Sequence, residues 1–136
     1  MKLEKIDHIC IAVRDVKKAE EIYRRTFEIE PIDRYIDENE KINVVRFLIG
    51  EVAFEVMEPT DDNSEVAKFL EKRGEGVFLI SFKVANVPNS MDELIQKGIS
   101  LLDTQPRKWR NSNFTFLHPR DYNGVLIELI DEAAGE

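Results

Sequence analysis

An internal duplication constrains this chain more than any other feature. The run His8-Ile-Cys-Ile-Ala-Val13 returns 71 positions later as Leu79-Ile-Ser-Phe-Lys-Val84. The run Phe54-Glu-Val-Met-Glu58 returns as Ile127-Glu-Leu-Ile-Asp131, at an offset of 73. Self-similarity at a fixed spacing dictates architecture, so it is read before any local pattern. Both opening runs alternate with the period of a strand, and each leads into a helix start, at Asp15-Val16 and Asn86-Val87. The first helix is predicted from about Val16 to Phe27, with Ala19, Ile22, Tyr23 and Phe27 on one face. Its counterpart carries Met91, Leu94 and Ile95, with Ser90 and Glu93 expected as a capping box and Gly98 as the stop.

Three more strand-like runs follow each helix: Pro31–Ile36, Ile42–Ile49 and Val52–Met57, then Ser100–Asp103, Asn113–His118 and Val125–Ile130. A capped helix from about Ser64 to Arg73, stopped at Gly74, lies between the halves. The expected fold class is therefore α+β. Two βαβββ modules, about 3–58 and 76–131, are joined by a linker helix at about 64–73 and make one pseudo-symmetric domain spanning 1–136.

Composition narrows the partners. A formal charge of −8 disfavours nucleic acid, because phosphate binding relies on clustered Lys and Arg. No apolar run approaches the roughly 20 residues of a membrane helix, so no membrane partner is expected. The single cysteine, Cys10, cannot form an internal disulfide, and a cytoplasmic location is the default expectation.

Chemistry concentrates at the repeat-equivalent positions. Glu55 and Glu128 each sit within a mostly apolar strand, and an ionised carboxylate is rarely buried unless paired or metal-bound. His8 opens the module that Glu55 closes, so pairing of first and last strands puts imidazole and carboxylate on one face. One imidazole and two carboxylates suit a borderline divalent cation such as Co, Ni, Zn or Mn. Cys10, two residues from His8, reads as a small apolar filler, since no second histidine is placed to activate it. His118 precedes Pro119 and reads as a turn residue. Pro106–Asn113 is basic and aromatic; it reads as a solvated loop, or as a grip for an anionic group.

DHICIAV, EVMEP, the linker SEVAKFLEKRGEG and the closing FLHPRDYNGVLIEL together resemble the vicinal oxygen chelate (glyoxalase) superfamily, the nearest branch being methylmalonyl-CoA epimerase. The likeness runs from about Leu3 to Asp131. It implies paired βαβββ modules forming a curved mixed sheet around a cleft that holds a divalent metal, and a homodimer. It also implies four ligand places, which fall here on His8, Glu55, Leu79 and Glu128. Three of these are metal ligands by type: His8, Glu55 and Glu128. The fourth is a leucine, which cannot bind a cation, so metal binding is expected to be weakened or lost.

The resemblance implies an isomerase or lyase that abstracts a proton next to a carbonyl, with Glu128 as the catalytic residue. Its substrate is a small molecule, of the acyl-CoA class if epimerase-like or a glutathione adduct if lactoylglutathione-lyase-like. The alternative is a metal-poor binding protein of the same fold, favoured by Leu79 and by the aromatic loop around Trp109. An extradiol-type dioxygenase is disfavoured, because its triad needs two histidines and only His8 and His118 exist.

Overall fold

A computed structural model describes residues 1–132. The elements run β1 (Lys5–Ala12), α1 (Val16–Phe27), β2 (Asp33–Asp37), β3 (Ile42–Ile49), β4 (Val52–Pro59), α2 (Glu65–Arg73), β5 (Gly76–Lys83), α3 (Val87–Gln96), β6 (Arg107–Trp109), β7 (Ser112–Phe116) and β8 (Leu126–Ile130). A single 3₁₀ turn at Pro119–Asp121 precedes β8. The order βαβββ thus appears on each side of α2, as the duplication requires. No helix among the described residues is long and apolar enough to cross a membrane.

The chain forms two compact units, Ile9–Phe78 and Met1–His8 with the chain from Leu79 onward, so that β1 and β5 each give residues to both. In the first unit, β2, β3 and β4 form an antiparallel ladder. The two-residue loop between β3 and β4 opens with Gly50 at φ +60, a conformation that suits glycine. The end of β1 runs beside β4, Val13 N–H donating to Met57 O at 2.9 Å. Helix α1 starts where Asp15 accepts from Lys18 N–H, a cap worth about 1 kcal/mol. Its inner stripe is Val16, Ala19 and Tyr23, packed with Val13, Val45, Phe47 and Val56. Ile22 and Phe27 lie off that stripe and stay 53% and 62% exposed, so the expected apolar face is narrower than its sequence pattern.

In the second unit β5 pairs parallel with β8, while β8–β7 and β7–β6 are antiparallel, which makes the pairing mixed. Val84, Val87, Met91, Leu94, Leu117 and Leu129 form its core, and Ile95 stays outside it, exposed. Two local expectations are corrected here. Helix α3 is capped by Asn86, which accepts from Asn89 N–H, rather than by a Ser90–Glu93 box, because the chain is already helical from Val87. No strand forms at Ser100–Asp103; only Leu101 bridges to Leu117. Asp103 instead accepts from Arg107, Thr115 and Phe116 N–H, and the paired edge moves to β6. Residues 106–113, expected as a loop, therefore belong to the β6–β7 hairpin.

Within the first unit Arg34 of β2 grips Glu20 of α1 through two hydrogen bonds, at 2.9 and 2.7 Å. The Arg34 hydrogen bond is the main reason the Glu20 carboxyl lies below the usual 4.5, burial opposing it and the charges of Arg34 and Arg24 adding to it. A lowered carboxyl stabilises the fold above its unfolded pKa, and that contribution disappears as pH falls through the folded value. Arg34→Gln should therefore lower the melting temperature modestly at pH 7. The deficit should shrink to nothing under acid conditions below the carboxylate range, as thermal melts between pH 7 and pH 2 would read.

Candidate active site

Strand β1 delivers the first cluster. His8 is 5% exposed, and its Nδ1 lies 2.8 Å from Asp7 Oδ2, with Asp7 itself 1% exposed. An ionised carboxylate only accepts, so the imidazole donates from Nδ1 and leaves Nε2 as the nitrogen facing Glu128. Glu128 Oε1 stands 3.0 Å from that Nε2. Ion-pair distance is met, yet Glu128 Oε1 is fully buried without a partner in hydrogen-bond geometry. In the neutral, Nδ1-protonated form of the ring, a nitrogen lone pair then faces a carboxylate oxygen. That arrangement accommodates a shared proton or a cation.

Ser81 of β5 adds to the same cluster. The parallel register sets Ser81 opposite Glu128, and the Ser81 hydroxyl is likewise buried with no hydrogen-bond partner. Two unsatisfied oxygens at one register pair are costly, at about 1–3 kcal/mol each, and mark a place suited to a ligand atom. On its other side, the register partner of Glu128 in β7 is Phe116, which offers no charge.

The first unit holds the repeat-equivalent carboxylate in a different state. The β3–β4 register sets Arg46 opposite Glu55, and Arg46 Nη1 donates to Glu55 Oε2 at 2.9 Å. Cys10 Sγ donates to Glu55 Oε1 at 3.4 Å. Arg46, Glu55 and Cys10 are 4%, 1% and 0% exposed, so the ion pair is shielded from water. Both oxygens of Glu55 have partners, whereas one of Glu128 has none in hydrogen-bond geometry.

Burial rules out a solvated edge-strand reading for either glutamate. Leu79 is buried at 3% exposure, with Leu126 as its register partner. His118 does cap a turn, its Nδ1 accepting from Arg120 N–H at 3.4 Å ahead of the 3₁₀ segment. In the β6–β7 hairpin Arg107 engages Asp103 and lies over the Phe116 ring, Lys108 engages Asn113, and Arg110 lies over Trp109. Its cations are thus engaged within the hairpin's own surroundings. Asp7 and Ser81 were not singled out from the sequence. Ser81 is the repeat equivalent of Cys10 and Asp7 adjoins His8, but those positions mark neither side chain as part of the site until the fold brings it there.

The donor chemistry fits a divalent cation at His8 and Glu128, an N/O set in which Asp7 plays the usual part of the carboxylate that orients a ligating imidazole. Glu55 is chemically suitable as well, but its charge is already balanced by Arg46.

Comparison with known proteins follows this geometry. Residues 7–116 match the glyoxalase/bleomycin resistance protein/dioxygenase superfamily model. The chain is 34% identical to the uncharacterized protein YqjC of Bacillus subtilis, over 95% of this chain and 93% of that protein. It is 29% identical to the ethylmalonyl-CoA/methylmalonyl-CoA epimerase of Cereibacter sphaeroides, over 92% and 96%. Among solved structures, a Streptomyces coelicolor methylmalonyl-CoA epimerase variant in complex with 2-nitronate-propionyl-CoA superposes with a TM-score of 0.91 at 36% identity, covering 98% of this chain and 100% of that one.

The Asp7–His8 contact is open to direct test. Asp7→Ala should cost about 1–3 kcal/mol in denaturant unfolding, because it strands a buried ring N–H. It should also remove the preference for the Nδ1-protonated tautomer, read from the ¹⁵N shifts of the His8 ring.

Proposed function

Because the chain belongs to the glyoxalase/bleomycin resistance protein/dioxygenase superfamily, we propose that it is a metal-assisted isomerase that moves a proton next to the carbonyl of a CoA thioester. The observation that carries this reading is the buried, unsatisfied Glu128 Oε1 beside His8 Nε2. The epimerases among its relatives and structural neighbours support the substrate class.

We assign His8 and Glu128 as the residues that hold a divalent cation, Co, Ni, Zn or Mn, with Glu55 as the second carboxylate of the set. When bound, the cation supplies Lewis-acid polarisation of a carbonyl oxygen. Glu128 takes the proton α to the thioester, and inversion follows when a solvent-derived proton is delivered to the opposite face of the α-carbon. Burial of Glu128 strengthens each charge interaction around it. Asp7 keeps the imidazole oriented. General-base catalysis of this kind is worth roughly 10²–10⁴-fold, so the base alone does not account for an enzyme-sized acceleration. A lactoylglutathione-lyase-like reaction uses the same proton transfer on a glutathione adduct.

A second reading is a metal-poor small-molecule binding protein in the same fold. The Arg46–Glu55 ion pair and the apolar Leu79 favour it. Both readings are compatible with a single cytoplasmic domain acting as a homodimer, which sedimentation would test.

Incubation with methylmalonyl-CoA in deuterated water and added Co²⁺ should place deuterium at the α-carbon, and Glu128→Gln should slow that exchange about 10²–10⁴-fold. Absence of exchange, with ligand-induced quenching of Trp109 fluorescence that is indifferent to EDTA, would establish the binding protein instead. Leu79→His should tighten Co²⁺ and Zn²⁺ binding in calorimetric titration by supplying a second imidazole; unchanged affinity would mean that Leu79 is not at a ligand position.

A further inference from the structure

We infer that Arg46 determines whether Glu55 can serve a cation, so that Glu55 is a latent ligand held neutral by the chain itself. The inference rests on the metal-assisted reading above and refines its donor set. Arg46 and Glu55 are register partners in a hairpin whose two-residue loop leaves no slack, and both side chains are nearly solvent-free. Their contact is 2.9 Å, a charge-assisted hydrogen bond of ordinary length.

Charge, rather than lone pairs, decides the outcome. A carboxylate has about four acceptor sites, and the bonds from Arg46 and Cys10 leave some of them open. The guanidinium, however, cannot lose its proton in a protein, so the Arg46–Glu55 pair carries no net charge to offer a cation. It also sets a fixed positive charge beside Glu55, and like charges repel strongly where water is excluded. A divalent ion reaching Glu55 must therefore displace a buried guanidinium and leave it without its partner. Glu128 is under no such restraint, because its neighbour across β7 is Phe116.

The consequence is specific to this pair of residues. Removing Arg46 should create a ligand, and removing Glu55 along with it should destroy only what was gained. Calorimetric titration with Co²⁺ and with Zn²⁺ would compare wild type, Arg46→Gln and the double variant Arg46→Gln/Glu55→Gln. We expect Arg46→Gln to bind at least about tenfold more tightly than wild type, equivalent to about 1.4 kcal/mol. The double variant, which keeps the pair neutral and similar in shape, should match wild type within about threefold.

A double variant that loses tenfold or more would overturn the inference, since Glu55 would then already be serving the ion with Arg46 in place. Arg46→Gln binding no more tightly than wild type would also overturn it and leave the metal-assisted reading standing. Absence of binding by every form would overturn both. Should Arg46→Gln fail to fold around its uncompensated carboxylate, the double variant, its folding checked by melting temperature, carries the test: a tenfold loss overturns the inference, and a match to wild type within about threefold supports it.

Discussion

Glu55 is a carboxylate at 1% exposure, and removing such a group from water costs several kcal/mol unless a partner replaces the lost hydration. Arg46 supplies that partner, and much of the first unit can be read as what holds the two in place. The hairpin loop at Gly50 sets the register, the register sets Arg46 across from Glu55, and Cys10 of β1 closes over the other oxygen. On the opposite face of the same strands, Val45, Phe47 and Val56 pack under α1, each fully buried side chain contributing about 1.5–3 kcal/mol. A slip of one residue would exchange the two faces of a strand, setting apolar side chains against the remaining charge and driving a charged one into the apolar layer beneath α1. Two independent penalties therefore enforce one register.

The duplication made most of this legible in advance. The element order follows from it, and the helix caps Asp15 and Asn86 are visible in the residues because each precedes an apolar periodic run. The Arg46–Glu55 pair is legible too: Arg46 lies on the strand before Glu55 as a candidate compensating charge, and counting outward from the two-residue hairpin loop makes the two partners. What escaped was non-local. Asp103 reads as the end of a strand, but three donors from β6 and β7 converge on it and turn the chain away. The Asp7 contact was invisible because adjacent residues of a strand are expected on opposite faces, and only the folded backbone brings its carboxylate to the His8 ring. Ser81 was passed over because a serine in an apolar strand carries no signal until its hydroxyl proves to be unsatisfied.

The two halves have solved one problem differently. Each places a glutamate on its last strand and packs it away from water, and each must answer the resulting charge. In one half the answer is covalently part of the chain, a guanidinium on the neighbouring strand. In the other, the neighbouring strand offers Phe116, and the carboxylate lies against an imidazole whose Nδ1 faces Asp7. An arginine is a permanent cation, whereas an imidazole can give up its proton or a metal in its place. The halves therefore differ in the partner each gives its glutamate: a guanidinium that keeps its proton in one, an imidazole in the other.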